Sequence, residues 1–131
     1  MGSLTILYAE DYRLLLHYVK EMLEKQGWRV ETCADGLSAL EKIESGDDYG
    51  LLLLDNSLPG ISGLELVLRA RRLMHRRRTP IIMLSASDCA LAARRAGVTA
   101  FLRKPEEIDA LIDTIRQLTG ERLEQSPGPS N

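Results

Sequence analysis

Short runs of consecutive apolar residues alternate along the chain with longer segments in which apolar residues recur every three or four positions. A short continuous run is typical of a strand buried on both faces, and the wider spacing is typical of an amphipathic helix. The runs predict strands at 4–9, 51–54, 80–84 and 99–103, and a segment with partial alternation of apolar and polar residues predicts another at 28–34. The periodic segments predict five helices, at about 12–26, 36–45, 63–74, 88–96 and 104–119. Because strands and helices alternate, the pattern predicts an α/β fold, a doubly wound parallel sheet with helices on both faces.

Polar residues mark the boundaries of the predicted elements. The acidic pair Glu10-Asp11 follows the first strand and is expected to cap the first helix, and Ser62 is expected to cap the third. After the last helix the apolar residues no longer recur at helical spacing, and Pro, Gly and Ser become frequent. The sequence therefore predicts one folded domain over 1–119 and a disordered C-terminal tail over 120–131.

The composition is that of a globular protein, with 44% apolar and 27% charged residues in a chain of 131. That length fits a single domain. No apolar run is long enough to cross a membrane, and the first residues lack the basic region of a signal peptide. We therefore expect a cytoplasmic location without membrane insertion. The two cysteines, Cys33 and Cys89, are too few for a disulfide framework and are expected to be buried thiols.

The charges are unevenly distributed along the chain. Residues 1–65 carry 5 basic and 12 acidic side chains, whereas residues 66–131 carry 12 basic and 7 acidic ones. Seven of the positive positions fall in the segment Arg69–Arg78, counting His75. We interpret this segment as a solvated helix face and a basic loop, and contact with nucleic acid or an acidic partner is the alternative. The overall charge of −2 and the absence of aromatic residues among the arginines argue against a nucleic-acid partner.

Chemically distinctive residues follow four of the five predicted strands. Glu10-Asp11 follows the first strand, Asp55 the third, Ser85 the fourth and Lys104 the fifth. In a parallel sheet the carboxyl ends of the strands meet at one rim, so these side chains are expected to converge. Clustered carboxylates repel one another unless a cation is present, and such oxygen ligands suit Mg²⁺. A nearby lysine offers a positive charge to a phosphoryl group. A purely structural ion-pair network is the alternative.

The four motifs, taken together and in order, resemble the receiver domain of bacterial two-component response regulators, in particular its single-domain, chemotaxis-regulator-like form. The motifs are the acidic pair, the segment 55–60 with the sequence DNSLPG, the Ser85-Ala86 step and Lys104-Pro105. The intervals of 44 residues from Asp11 to Asp55 and of 30 from Asp55 to Ser85 match the usual spacing of that family. The resemblance covers residues 3–119. It implies a flavodoxin-like fold, with five strands in the order 2-1-3-4-5.

The resemblance assigns the chemistry of the rim. It makes Asp55 the nucleophile that accepts a phosphoryl group from a sensor histidine kinase or a phosphotransfer protein. It makes Asp11, Asp55 and the backbone carbonyl of Ser57 ligands of Mg²⁺ or Mn²⁺, with Glu10 acting directly or through water. It makes Lys104 the contact of the phosphoryl group.

The resemblance also assigns a switch. The Ser85 hydroxyl would bind the phosphoryl group and carry its loop inward, and Phe101 would be the aromatic residue that responds. An ordinary core position remains equally open for Phe101. The interval of 19 residues from Ser85 to Lys104 is a few residues shorter than is common in the family, which puts the deletion in or before the fourth helix. The Lys104-Pro105 bond is usually cis in the family.

The sequence therefore predicts a phospho-acceptor switch, a monomer or weak dimer that passes its state to a downstream protein. It would catalyse only its own phosphorylation and slow dephosphorylation. Two alternatives stay open. The first is a receiver-like docking module that shows little phosphorylation-dependent switching. An Mg²⁺-dependent phosphohydrolase of the haloacid-dehalogenase type would need a second Asp two residues after Asp55, where this chain has Ser57.

Overall fold

A five-stranded parallel sheet forms the centre of the molecule, in a computed structural model that describes residues 3–121. The strands are β1 Thr5–Ala9, β2 Arg29–Cys33, β3 Leu51–Leu54, β4 Ile81–Ser85 and β5 Ala100–Arg103. The helices are α1 Arg13–Glu24, α2 Gly36–Glu44, α3 Gly63–Arg72, α4 Ala90–Ala96 and α5 Leu111–Thr119, with 3₁₀ turns at Met74–Arg76 and Ile108–Ala110. The spatial order β2-β1-β3-β4-β5 confirms the expected topology. The C-terminal tail, apart from residues 120 and 121, lies outside the described residues.

The two faces of the sheet bury separate clusters of apolar side chains. Successive side chains of a strand point to opposite faces. Ile6 and Tyr8 accordingly pack with α1 and α5, whereas Leu7 and Ala9 pack with α2, α3 and α4. β3 is fully buried on both sides, which explains its uninterrupted run of leucines. The sheet is thus a rigid platform whose carboxyl edge carries the polar residues.

The start of α1 differs from the expected capping. The N-cap residue is Tyr12, and no side chain caps the helix. The Glu10 carboxylate accepts a hydrogen bond from the Tyr12 backbone N–H, over 3.1 Å, but its other oxygen turns toward Lys104. The expectation that Glu10-Asp11 caps the helix is therefore wrong, because Glu10 belongs to the polar rim. Ser62 does cap α3, accepting from the Glu65 N–H.

The last helix begins later than expected. The Lys104-Pro105 peptide bond is cis, and α5 starts only at Leu111, after a turn and the 3₁₀ segment Ile108–Ala110. The turn is closed because the Glu107 N–H donates to the Arg103 carbonyl and the Glu107 carboxylate accepts from the Arg103 N–H, both over 2.7 Å. Placing a helix directly after Lys104 was therefore wrong.

The interpretation of the arginine segment as a solvated face is wrong for two of its members. Arg76 is 2% exposed, and its guanidinium lies 5.0 Å from the centre of the Tyr49 ring. It donates to four carbonyl oxygens at the end of α2 and in the following loop, those of Lys42, Ile43, Ser45 and Asp47. Arg71 likewise donates to carbonyl oxygens, those of Arg76, Arg77, Thr79 and Gly97.

The cysteines and the fourth helix agree with the sequence predictions except at Cys89. Cys33 is buried as expected, but Cys89 is only half-buried, and neither forms a disulfide. α4 has seven residues, in line with the short interval before Lys104. No helix within residues 3–121 is both long and apolar enough to span a membrane.

Candidate functional site

The polar rim lies at the carboxyl ends of β1, β3, β4 and β5, beside the point where the strand order reverses between β1 and β3. The ladder continues past the strands and fixes the backbone of the rim residues. The Asp55 N–H donates to the Ala9 carbonyl over 3.0 Å, and the Lys104 N–H donates to the Ser85 carbonyl over 3.1 Å. Asp55 and Lys104 are therefore held by the sheet itself, as the strand-end argument predicts.

Three carboxylates meet at this rim. One oxygen each of Glu10, Asp11 and Asp55 lies within 4.8 Å of the others. Glu10 is 1% exposed and Asp55 4% exposed, while Asp11 is open to solvent. Hard carboxylate oxygens that converge with one side open to water form a suitable donor set for Mg²⁺, which keeps part of its hydration shell.

Lys104 neutralises the buried part of this cluster. Its Nζ lies 2.7 Å from Glu10 Oε1 and 3.4 Å from Asp55 Oδ2. Burial raises the pKa of Glu10, while the hydrogen bonds from Lys104 and from the Tyr12 N–H oppose that shift. The negative charge of Asp55 adds to the rise. Glu10 thus depends on Lys104 for the stability of its charged form.

Tyr8 contributes a buried hydroxyl beneath the rim. Its side chain is fully buried, and its hydroxyl has no hydrogen-bond partner among residues 3–121. Burial, and then the negative charges of Glu10 and Asp55, raise the pKa of this phenol well above its ordinary value. The phenol therefore stays neutral. The sequence did not single out Tyr8, since a tyrosine in an apolar strand looks like any other core residue.

The remaining site candidates occupy the flanks of the rim. Ser85 ends β4 and is fully buried, and its hydroxyl oxygen accepts from the Ser87 N–H over 3.1 Å. Phe101 is half-buried in β5, opposite Met83 of β4, on the face covered by α2, α3 and α4. Ser57 is exposed in the loop after Asp55. Phe101 is thus neither a fully buried core residue nor a free surface aromatic.

The loop from β3 to α3 is held by Asn56, which belongs to the 55–60 motif, and by Gly63, which the sequence did not single out. The Asn56 carbonyl accepts from the Gly63 N–H, and the Asn56 side-chain oxygen accepts from the Leu64 N–H, both over 3.0 Å. A Cβ atom on Gly63 would lie 2.3 Å from the Asp55 carbonyl oxygen. The start of α3 thus packs directly against the backbone of Asp55. A glycine immediately after the Ser62 cap was the only available signal.

Gly63→Ala is expected to displace the Asp55 backbone, because the added methyl group cannot fit against main-chain atoms. We expect the free energy of unfolding to fall by about 1–3 kcal/mol, as in other overpacked sites. Chemical denaturation measures this loss. Gly46→Ala is the control, since a Cβ there would meet nothing within 4 Å. Equal stability of the two variants would contradict the close approach of Gly63 to Asp55.

A cleft of about 500 Å³ lies at the opposite edge of the sheet and contains none of the rim residues. It is lined by Tyr49, Gly50, Met74, His75, Arg77, Arg78, Thr79 and Pro80. None of these lining residues belongs to the set that the strand-end argument singles out, so we look for the site at the rim and not in this cleft.

Comparison with known proteins identifies the family. The sequence model of the response regulator receiver domain matches residues 6–116. The chain is a response regulator receiver domain. This receiver domain is 34% identical over 122 residues to the transcriptional regulatory protein TcrA of Mycobacterium tuberculosis, covering 91% of the chain and 47% of that relative. The chain thus spans about half the length of the transcriptional regulators that it matches.

Solved structures of receiver domains share its architecture. The receiver domain of a sensor histidine kinase from Pseudomonas aeruginosa, described with a magnesium ion coordinated in its active-site cleft, superposes with a TM-score of 0.83 at 28% identity. That match covers 92% of this chain and 100% of the other. The response regulator TrrA of Thermotoga maritima, in complex with Mg²⁺-BeF, gives a TM-score of 0.78 at 30% identity, covering 88% and 98% of the two chains.

Proposed function

We propose that this receiver domain is a phospho-acceptor switch in which Asp55 takes a phosphoryl group from the phosphohistidine of a sensor kinase or phosphotransfer protein. The observation that carries the proposal is the position of Lys104, whose Nζ lies between Glu10 and Asp55 at the rim. Asp11 is exposed beside them. A nucleophile, a cation and further carboxylates thus stand at one edge that a donor protein can reach.

Each residue of the rim has a chemical task in this proposal. An Asp55 oxygen attacks phosphorus, so that a P–O bond forms and the P–N bond to histidine breaks. The histidine nitrogen keeps the electron pair and takes a proton from solvent. Lys104 is 3.4 Å from the Asp55 carboxylate and can pair with the transferred group as a point charge. Glu10 holds Lys104 in place through the 2.7 Å contact.

Glu10, Asp11 and Asp55 fit a divalent cation such as Mg²⁺ or Mn²⁺, since each offers an oxygen within 4.8 Å of the others. The backbone carbonyl of Ser57, in the exposed loop beside them, is a further proposed ligand. When bound, the metal supplies positive charge that offsets the charge on the phosphoryl oxygens. The magnesium ion described for the Pseudomonas receiver domain supports this assignment.

The switch itself is proposed to involve Ser85 and Phe101. The Ser85 hydroxyl oxygen accepts from the Ser87 N–H, and donation of its O–H to a phosphoryl oxygen would draw the loop after β4 toward Asp55. Phe101 is half-buried on the neighbouring strand and can follow that movement. The changed surface would alter binding to a downstream protein. The domain turns over no separate substrate in this proposal.

The proposal is tested by incubating the chain with Mg²⁺ and a small phosphodonor and measuring its intact mass. We expect the mass of one phosphoryl group to be added to the wild type and none to Asp55→Asn. Asp48→Asn, which removes an exposed carboxylate at the other end of β3, is the control and should be labelled like the wild type. An unmodified wild type, with a small donor and with a histidine kinase, would refute the proposal and favour a docking module.

Mg²⁺ is expected to stabilise the fold by binding the rim. At about one hundred times the dissociation constant the gain is about 2.7 kcal/mol, because only the folded state holds the carboxylates together. Asp11→Asn should lose most of the gain. Asp113→Asn, whose side chain is 86% exposed on α5, should keep it. Denaturation with and without Mg²⁺ measures the difference, and an equal gain in both variants would place the cation elsewhere.

A further inference from the structure

The outward faces of α3 and α4 share an unusual pattern. An exposed leucine in each helix is followed, one turn closer to the C-terminus, by exposed arginine: Leu68 with Arg72 in α3, and Leu91 with Arg94 and Arg95 in α4. Leu68 is 40% exposed and Leu91 63%. Positions three and four apart lie on the same side of a helix, so each leucine stands beside its arginines. We call these five residues the leucine–arginine surface.

The two helices are joined at the ends that carry the arginines. Arg71, next to Arg72, donates from Nε to the carbonyl oxygen of Gly97, the residue after α4, over 2.9 Å. Both helices follow parallel strands and run in the same direction, so their C-terminal ends lie together. The arginine-bearing ends of the two patterns therefore lie side by side.

The charge of this surface is not balanced from within the chain. Residues 66–103 include nine arginines and a single acidic residue, Asp88, which pairs with Arg103. Within residues 3–121, none of Arg72, Arg94 and Arg95 forms an ion pair. An arginine at a helix C-terminus gains about 0.3–1 kcal/mol from the helix dipole. The dipole accounts for the arginines but gives no reason for the exposed leucines beside them.

We propose that the leucine–arginine surface docks an acidic amphipathic helix of a partner protein. Apolar side chains of the partner would cover Leu68 and Leu91, and its carboxylates would pair with Arg72, Arg94 and Arg95. Arginine forms bidentate pairs with carboxylates and is favoured at such interfaces. A nucleic acid fits less well, because the surface offers leucines in place of aromatic side chains for base stacking.

The arginines of this surface lie away from the polar rim, whereas Leu91 is in the first turn of α4. α4 begins near the loop after Ser85 and its arginines lie in its last turn, about 10 Å along the helix axis for seven residues. None of the five residues of the surface belongs to the polar rim. The inference therefore does not depend on the proposed phosphorylation, and it can be tested without Mg²⁺ or a phosphodonor.

Fluorescence anisotropy with a labelled helical peptide of Glu and Leu, with the leucines at helical spacing, tests the inference on the full chain. We expect the peptide to bind the wild type and the dissociation constant to rise about tenfold in Arg94→Glu/Arg95→Glu. The matched control is Lys20→Glu/Lys25→Glu, which makes the same charge change in and directly after α1 and should leave binding nearly unchanged. Arg94→Gln/Arg95→Gln should show a loss in the same direction and replaces the double glutamate variant if circular dichroism shows that variant unfolded.

Leu91→Ser separates docking from general charge attraction, because it changes no charge. We expect it to weaken peptide binding several-fold. Three results would overturn the inference: no binding to the wild type, equal loss in the α1 control, or unchanged affinity of Leu91→Ser. Tighter binding of a labelled single-stranded DNA than of the peptide would also overturn it, in favour of a nucleic-acid partner.

Discussion

Arg76→Ala is expected to lower the free energy of unfolding by about 3–4 kcal/mol. The substitution removes a buried guanidinium and leaves four carbonyl oxygens around the end of α2 without their donor, and each unsatisfied buried group costs about 1–3 kcal/mol. It also removes the cation that lies over the Tyr49 ring. Water can reach some of the freed carbonyls, which is why the expected loss is smaller than the sum. Denaturant unfolding measures it.

Arg78→Ala is the matched control, because it removes the same side chain from an exposed position two residues away. We expect its effect to stay within about 0.5 kcal/mol. Arg76→Lys should fall between the two, since an ammonium keeps the charge but not the planar fork that reaches several carbonyls at once. Similar losses for Arg76→Ala and Arg78→Ala would show that the hydrogen bonds of the buried Arg76 side chain do not stabilise the fold.

Lys104→Met is expected to destabilise the metal-free protein by about 3–5 kcal/mol at neutral pH. It leaves the carboxylates of Glu10 and Asp55 buried without their cation, and breaking a buried pair from one side carries a cost of this size. The comparison is Lys20→Met. Lys20 lies 2.7 Å from Glu24, the same distance as Lys104 from Glu10, but both partners are about two-fifths exposed. An exposed pair contributes only about 0.3–0.5 kcal/mol.

The pH dependence of Lys104→Met follows from Glu10. Burial raises the pKa of Glu10 in the folded protein above its ordinary value. The folded state therefore binds a proton that the unfolded state has already lost, so that stability falls as pH rises through the folded pKa. Without Lys104 this fall should be steeper. Adding Glu10→Gln should restore much of the lost stability and flatten the profile. A double variant as unstable as Lys104→Met alone would contradict the role of the Glu10 charge.

The polar rim could be predicted from the sequence because the topology of the sheet brings its residues together. Glu10, Asp55 and Lys104 each follow a run of apolar residues, and a parallel sheet brings all such positions to one edge. The predicted bounds of the five strands agree with the observed ones to within one residue, since the central strands β3 and β4 are apolar runs and β2 shows partial alternation. Residues that directly follow a strand can thus be recognised as site candidates from the sequence alone.

The hydrogen bonds of Arg76 could not be predicted, because its partners are backbone carbonyls about 30 residues away in sequence. Arg76 and Arg78 look alike in the sequence, and only the packing of the 3₁₀ turn against the end of α2 buries one and exposes the other. The start of α5 was misplaced for a related reason. The hydrogen bonds between Glu107 and Arg103 close a turn there, and helical spacing alone does not reveal them.

Chemical trapping of the acyl phosphate tests the central claim most directly, because it reports which residue carries the phosphoryl group. Borohydride reduces an aspartyl phosphate to homoserine with release of phosphate, and peptide mass mapping locates the change. After incubation with Mg²⁺ and a small phosphodonor, we expect homoserine at position 55 and no other position, and none without the donor. Homoserine at position 11 would contradict the account. So would the absence of any reduced residue in a sample that unfolds like the native protein.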